Sequence, residues 1–200
     1  MAKIIFDMEA YSYAEGIKAL RLMFEAARTT LTMQSNEVEN AIVEYEKHVD
    51  SGGKAIGEWE DGHTLWDQSG VYRLQVSAIE EALVELRIAT VISLYHLWER
   101  HIPNLSGKRR AHPQIVKDAQ SNAIKLHSDI NALCYTSNYF KHGSDSWRTR
   151  LYTEFADRFP KPDNQPPGWS AAFRQLHLKD SDIDWFVEIA EFSKREIMKS

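Results

Sequence analysis

Residues 113–143, PQIVKDAQSNAIKLHSDINALCYTSNYFKHG, carry the most regular pattern in the chain. Val116, Ala119, Ala123, Leu126, Ile130, Leu133, Ser137 and Phe140 alternate steps of three and four without a miss, the spacing that lines one face of an α-helix. Pro113 suits a first helical turn, and Gly143 suits the left-handed position just past the last one. The spacing predicts a single helix across the whole stretch. Upstream, Ile17, Leu20, Phe24, Ala27 and Leu31 step in the same way, and Val38, Ile42, Tyr45 and Val49 resume after Gln34-Ser35-Asn36. That is one long helix, or two in series, ending at Ser51-Gly52-Gly53.

Another helix is expected from about Val71 to Ile102, and between Ala82 and Trp98 its only ionisable residues are Glu85, Arg87, Tyr95 and His96. It reads as the central, mostly buried helix, and its charges interrupt the run of about 20 apolar residues that a bilayer span needs. Between the two, residues 51–70 hold Gly57, Gly62 and Gly70 with Trp59 and Trp66, which predicts an ordered loop or short hairpin pinned by its tryptophans. Past Gly143 come an amphipathic stretch from Trp147 to Phe159 and a Pro-rich loop at 160–169. A last helix begins near Ser181, with Asp182 and Asp184 in its first turn and Lys194, Arg195 and Lys199 at its end, as the helix dipole favours. Nothing reads clearly as a strand. The fold expected is all-α: an antiparallel bundle of four to five helices with an ordered Gly/Trp-rich loop insertion, in a single domain over 1–200.

Composition narrows the function classes. Hydrophobic residues at 43% and charged residues at 26% suit a folded globular chain rather than a disordered or membrane-embedded one. With 29 acidic against 24 basic residues the net charge is −5, so any nucleic-acid binding needs a local patch. Cys134 is the single cysteine, which excludes internal disulfides and cysteine-rich zinc clusters. The apolar run at Ile4-Ile5-Phe6 is too short for a signal peptide core, and no lipidation motif stands at either end, so a cytoplasmic location without membrane attachment is expected. Cofactor chemistry has no foothold in the motifs. Glu-x-x-His occurs only as Glu60 and His63 within the Gly-rich loop, and the zincin, phosphate-loop, dinucleotide and nucleophile-elbow patterns are missing. No cofactor and no metal are expected, and Cys134 reads as a small buried hydrophobe.

One constellation suggests chemistry. At 100° per residue, His127, Asn131, Cys134, Asn138 and His142 fall within an arc of roughly 80° beside the apolar stripe. Lys141 and His142 occupy the last turn before Gly143, where the dipole favours cations. A lysine and a histidine at an accessible helix end suit a phosphodiester and its protons. The bland alternative is a boundary face whose polar tips reach solvent or neighbouring helices.

The segment from Leu133 to Gly143, with Asn138-x-x-Lys141-His142 as its sharpest part and an apolar helix ending Leu94-Tyr95-His96-Leu97-Trp98-Glu99-Arg100 before it, resembles the HEPN superfamily. The resemblance runs from about Val71 to Gly143. It implies an all-helical homodimer of the kind frequent in toxin–antitoxin and phage-defence systems, with RNA and a protein partner, an antitoxin or defence component, as its ligands. Active members are metal-independent endoribonucleases using Arg-x(4-6)-His with a polar residue after the arginine. Carried over, His142 is the motif histidine, Asn138 the polar residue and Lys141 the basic residue before the histidine.

The arginine is missing, because its three permitted positions hold Tyr135, Thr136 and Ser137, and Ser137 continues the apolar stripe. Losing one preorganised charge-stabilising donor costs about 10²- to 10³-fold in rate. Substitute cations are Lys141, Arg148 or Arg150, or Arg100 or Arg109 from a second copy. The implied alternative is a catalytically inactive dimerisation and partner-binding module. Lys108, Arg109 and Arg110, together with Arg148, are the nucleic-acid-binding candidates, the first three forming the densest basic run. Trp59, Trp66 and Trp169 are the aromatic rings whose exposure would distinguish stacking from packing. The last helix, apolar over much of its girth, is expected to bury two faces, one of them against a second copy.

Overall fold

The computed structural model describes residues 8–61, 63–103, 111–161 and 176–194. Among them it is mainly helical, with α1 (Met8–Asp50), α2 (Gln68–His101), α3 (His112–Ser121), α4 (Ile130–His142), α5 (Asp145–Glu154) and α6 (Asp180–Phe192). Two antiparallel strands, β1 (Gly57–Glu60) and β2 (His63–Asp67), intervene between α1 and α2 in chain order. No helix among the described residues is long and apolar enough to cross a membrane. Length predicted one domain, and the packing groups the chain into two compact units, Met1–Met23 with Arg87–Ser200, and Phe24–Leu86.

The larger unit holds nearly all of the buried side chains. α4 is its axis: Ala132, Leu133, Cys134, Thr136, Ser137 and Tyr139 are all fully buried, because the helix packs on both α5 and α6. Trp98, Val91 and Leu94 from α2 and Ile183, Phe186 and Ile189 from α6 complete the core. Polar pins hold the ends in register. The Tyr13 hydroxyl donates to the Ala190 carbonyl at 2.7 Å, and the Tyr13 ring stacks on His101 at 4.2 Å. Arg87 pairs with Asp180 at 2.7 Å, and the Lys179 amide donates to Asp182 at the start of α6. α4 ends as its sequence predicts, with Gly143 in the left-handed region at φ 61° and its amide donating to the Tyr139 carbonyl.

The uninterrupted helix expected over 113–143 is two helices. Asn122 closes α3, Ala123 stands at φ 54°, and the amides of Ala123 and Ile124 donate back to the Gln120 and Ala119 carbonyls. That is the Schellman pattern, with an alanine where glycine is usual. It is stabilised by burial of Ile124 and Ala119 and by a local bond, the Asn122 side chain donating to the Asp118 carbonyl one turn back. The apolar period across the turn is a coincidence of spacing, since its members there are an exposed Ala123 and a half-buried Leu126, while the buried turn residue is Ile124, off the stripe. His127 consequently leaves the arc and sits in the turn, where its amide donates to Ser193 Oγ and its ring meets Phe192 edge-on.

In the smaller unit, α1 and α2 flank the hairpin. Gly57 is required there, since a Cβ would meet the Trp66 carbonyl oxygen and the Trp59 ring. The tryptophans do not pin it, because Trp59 and Trp66 are 49% and 45% exposed. Instead, the Tyr45 hydroxyl accepts from the Ile56 amide at 2.8 Å, and the Gln68 amide donates to the Ile56 carbonyl. Strand pairing joins residues that share no apolar alternation, which is why the sequence pattern does not show it. Lys108, Arg109, Arg110, Trp169, and the Pro-rich loop past Lys161 lie outside the described residues.

Candidate functional site

α4 brings the three sequence candidates to one place. Asn138, Lys141 and His142 all line a groove of about 1070 Å³ in the larger unit, shared with Tyr95, His96 and Glu99 of α2. His112, Val116, Lys117 and Gln120 of α3 and Trp147 and Arg150 of α5 complete its walls. Lys117, Lys141 and Arg150 face it against the single carboxylate of Glu99, so the lining is cationic before any histidine is counted. His142 is exposed, whereas Asn138 and Lys141 are half-buried.

The floor of the groove is a hydrogen-bonded chain. Asn138 Nδ2 donates to Cys134 Sγ at 3.2 Å, and the Cys134 thiol also bonds the Tyr95 hydroxyl. Tyr95 donates onward to His112 Nδ1 at 3.2 Å, and His112 Nε2 donates to Asn131 Oδ1 at 3.0 Å. Because Asn131 offers an oxygen, the proton belongs on Nε2, which leaves Nδ1 as the acceptor for tyrosine. This order fits a neutral imidazole, and burial indeed pushes His112 below its ordinary value, only partly opposed by Asn131 and Glu99. Burial likewise raises Tyr95 well above a phenol in water and pushes the Cys134 thiol up to about 11. Cys134 is therefore a packed thiol, as expected of a lone cysteine on a periodic helix.

Two side chains of this floor aim the candidates. The Lys141 ammonium lies 5.3 Å from the centre of the Tyr95 ring, and Asn138 is fixed through Cys134. On the opposite wall, the Arg150 guanidinium sits over Tyr135 and Trp147 at 5.4 and 5.5 Å. Neither Tyr95 nor His112 stood out in the sequence as part of a site. The available signal was their placement: an ionisable residue in the most apolar stretch of α2, and a histidine immediately before the proline that opens α3.

Arg148, expected on a nucleic-acid face, is buried instead. It pairs with Asp145 at 2.7 Å and bonds Tyr139, which places it inside the packing of α5 on α4. Helical geometry explains the exchange, because positions 148 and 150 lie about 200° apart around α5 and only one faces the groove. The motif-arginine slots behave similarly. Thr136 and Ser137 are fully buried, and of the three only Tyr135 reaches the groove wall. Arg100 is exposed on α2, bonded to the His96 carbonyl and apart from the groove lining. Among the described residues no group of three or more His, Cys, Asp or Glu is placed to hold a metal ion.

No family model, curated protein or solved structure matches the chain.

Proposed function

We propose that this chain is a HEPN-like helical bundle that acts on RNA, as a homodimer in a defence or toxin-type system, with the groove around His142 as its site. The observation that supports this is the convergence of Asn138, Lys141 and His142 on a single cationic groove. In the proposed reaction His142 takes the proton of a ribose 2′-hydroxyl, and the 2′-oxygen attacks the adjacent phosphorus. The 5′-oxygen then leaves, taking a proton from solvent water while His142 returns its own to solvent, giving a 2′,3′-cyclic phosphate and a 5′-hydroxyl. Charge building on the non-bridging oxygens is met by Lys141 and by Arg150, which takes the part of the missing motif arginine from α5 rather than α4.

The test is cleavage of labelled single-stranded and transfer RNA in chelator, wild type beside His142→Ala and Arg150→Ala. Metal-independent cleavage should fall about 10²-fold or more in each variant. A second reading has its own observation: Ser137, the natural slot for the motif arginine, is fully buried, so on this reading the fold is kept without catalysis as a binding module. Intact RNA at high concentrations of folded protein favours that module.

A further inference from the structure

The Phe24–Leu86 unit cannot cover its own apolar surface. Among its described residues Phe24 is the one buried side chain. Eight large hydrophobic residues stand exposed there, four of them in and around the hairpin: Ile56, Trp59, Leu65 and Trp66. Leu74 on α2 is 73% exposed. An isolated two-stranded hairpin is marginal in water, and its register pairs Trp59 with Thr64 and Trp66 with Glu58, so each face of the ribbon presents one exposed tryptophan and the Trp59 face is the one beside α1.

Charge says what kind of partner fits. Residues Phe24–Leu86 contain thirteen acidic and four basic side chains, a net −9, whereas the rest of the chain is net +4. A second copy packing the same face would bring two such charges together, and an anionic nucleic acid or lipid surface is repelled outright. The unit also holds a small pocket of about 170 Å³ between α1 and the hairpin. Tyr45 and Trp59 supply its aromatic walls, and Glu46, Asp50 and Asp67 supply carboxylates. Aromatic faces with carboxylates beside them suit an ammonium or guanidinium group. Arg73 is already drawn to Glu46 at 3.3 Å across this unit.

We propose that the Phe24–Leu86 unit docks a cationic, amphipathic segment of a partner protein, whose apolar side packs on the exposed Trp59 face of the hairpin while a lysine or arginine enters the pocket between Tyr45, Trp59 and Asp50. The surface is separate from the groove and does not depend on what the groove does.

The experiment titrates the full chain with a synthetic leucine–lysine amphipathic helical peptide and with its leucine–glutamate counterpart. The lysine peptide should bind, more weakly in high salt, and the glutamate peptide should not. Trp59→Ala with Asp50→Asn should weaken binding about tenfold, while Trp147→Ala in the groove leaves it unchanged. Asp67 is kept, since it accepts the Gly70 amide at the start of α2. Should the hairpin variant misfold, Glu37→Gln with Glu39→Gln and Glu44→Gln neutralises exposed helix positions and should also reduce binding. Equal binding by both peptides, or no loss in either set of variants, overturns the proposal. So does a dimer of the wild-type chain that Leu74→Glu dissociates, which would give the surface to a second copy.

Discussion

The two units solve opposite problems with the same helical grammar. In Arg87–Ser200 the helices are short, their apolar faces are enclosed, and one set of interior polar groups is bonded into the chain Asn138–Cys134–Tyr95–His112–Asn131. In Phe24–Leu86 the helices are long, the apolar residues remain in contact with solvent, and acidic side chains keep the surface hydrated. Periodicity reports that a helix has a face. What covers that face is set by the rest of the chain, or by another molecule.

The sharpest way to separate the units is to place the same charge in both. Ser137→Arg recreates the HEPN motif spacing, yet its Cβ points into a fully buried position. An uncompensated guanidinium there should cost about 3–5 kcal/mol or prevent folding. Leu74→Arg, on the exposed face, should stay within about 0.5 kcal/mol. Urea denaturation of both variants checks the pair, and a stable Ser137→Arg protein would mean that α4 can turn this position toward the groove.

The second comparison concerns cations that differ by two positions. If RNA enters the groove, Arg150→Ala should lower the slope of log affinity against log salt by about one, as loss of one phosphate contact does. Arg148→Ala should instead lower stability, because it removes the partner of Asp145 and Tyr139 from within the packing. Equal effects of both changes on the salt slope would break this division of roles.

These contrasts show which parts of the molecule were readable in advance. α1 and α2 followed from periodicity and end signals, α6 from periodicity and an acidic first turn, although it closes at Phe192 with no basic residue in its last turn, and the cap at Gly143 from a residue type that almost dictates its geometry. The turn after Ser121 was hidden because Ala123 takes a left-handed conformation that its side chain does not advertise, stabilised by burial of Ile124. Asn138, Lys141 and His142 could be picked out on their helix, but the groove they share with His112 and Arg150 exists only once α2, α3 and α5 are assembled. Spacing within one helix is local information, whereas a groove is made by residues distant in sequence.

Within the larger unit, Cys134 tests how tightly the groove floor is closed. With its thiol pushed up to about 11 by burial, it should resist a disulfide reagent at pH 8 in the folded protein and react at once in denaturant. The same shift makes stability alkali-sensitive. A raised thiol contributes fully below the ordinary value of 9.0, and its contribution is lost as pH climbs through 11. Rapid labelling of the native protein would show that solvent reaches the floor beneath Asn138.

The smallest effect expected lies on the acid side, at His112. Burial holds this imidazole below 6.5, so in the folded chain it stays neutral where an unfolded chain already binds a proton. The sign follows: the contribution of His112 is complete above the unfolded value and declines as pH falls below it, through the folded value. Protonation removes the Nδ1 lone pair that accepts from Tyr95, which loosens the ring beneath Lys141. His112→Gln has no proton to gain, so its stability should be flatter between pH 7 and 5 than that of the wild type, at some cost at pH 7. Identical pH profiles would show that the chain from Tyr95 to Asn131 tolerates a charged imidazole, and that the groove floor is held by packing against Trp98, whose ring lies 5.6 Å from His112, rather than by an ordered series of protons.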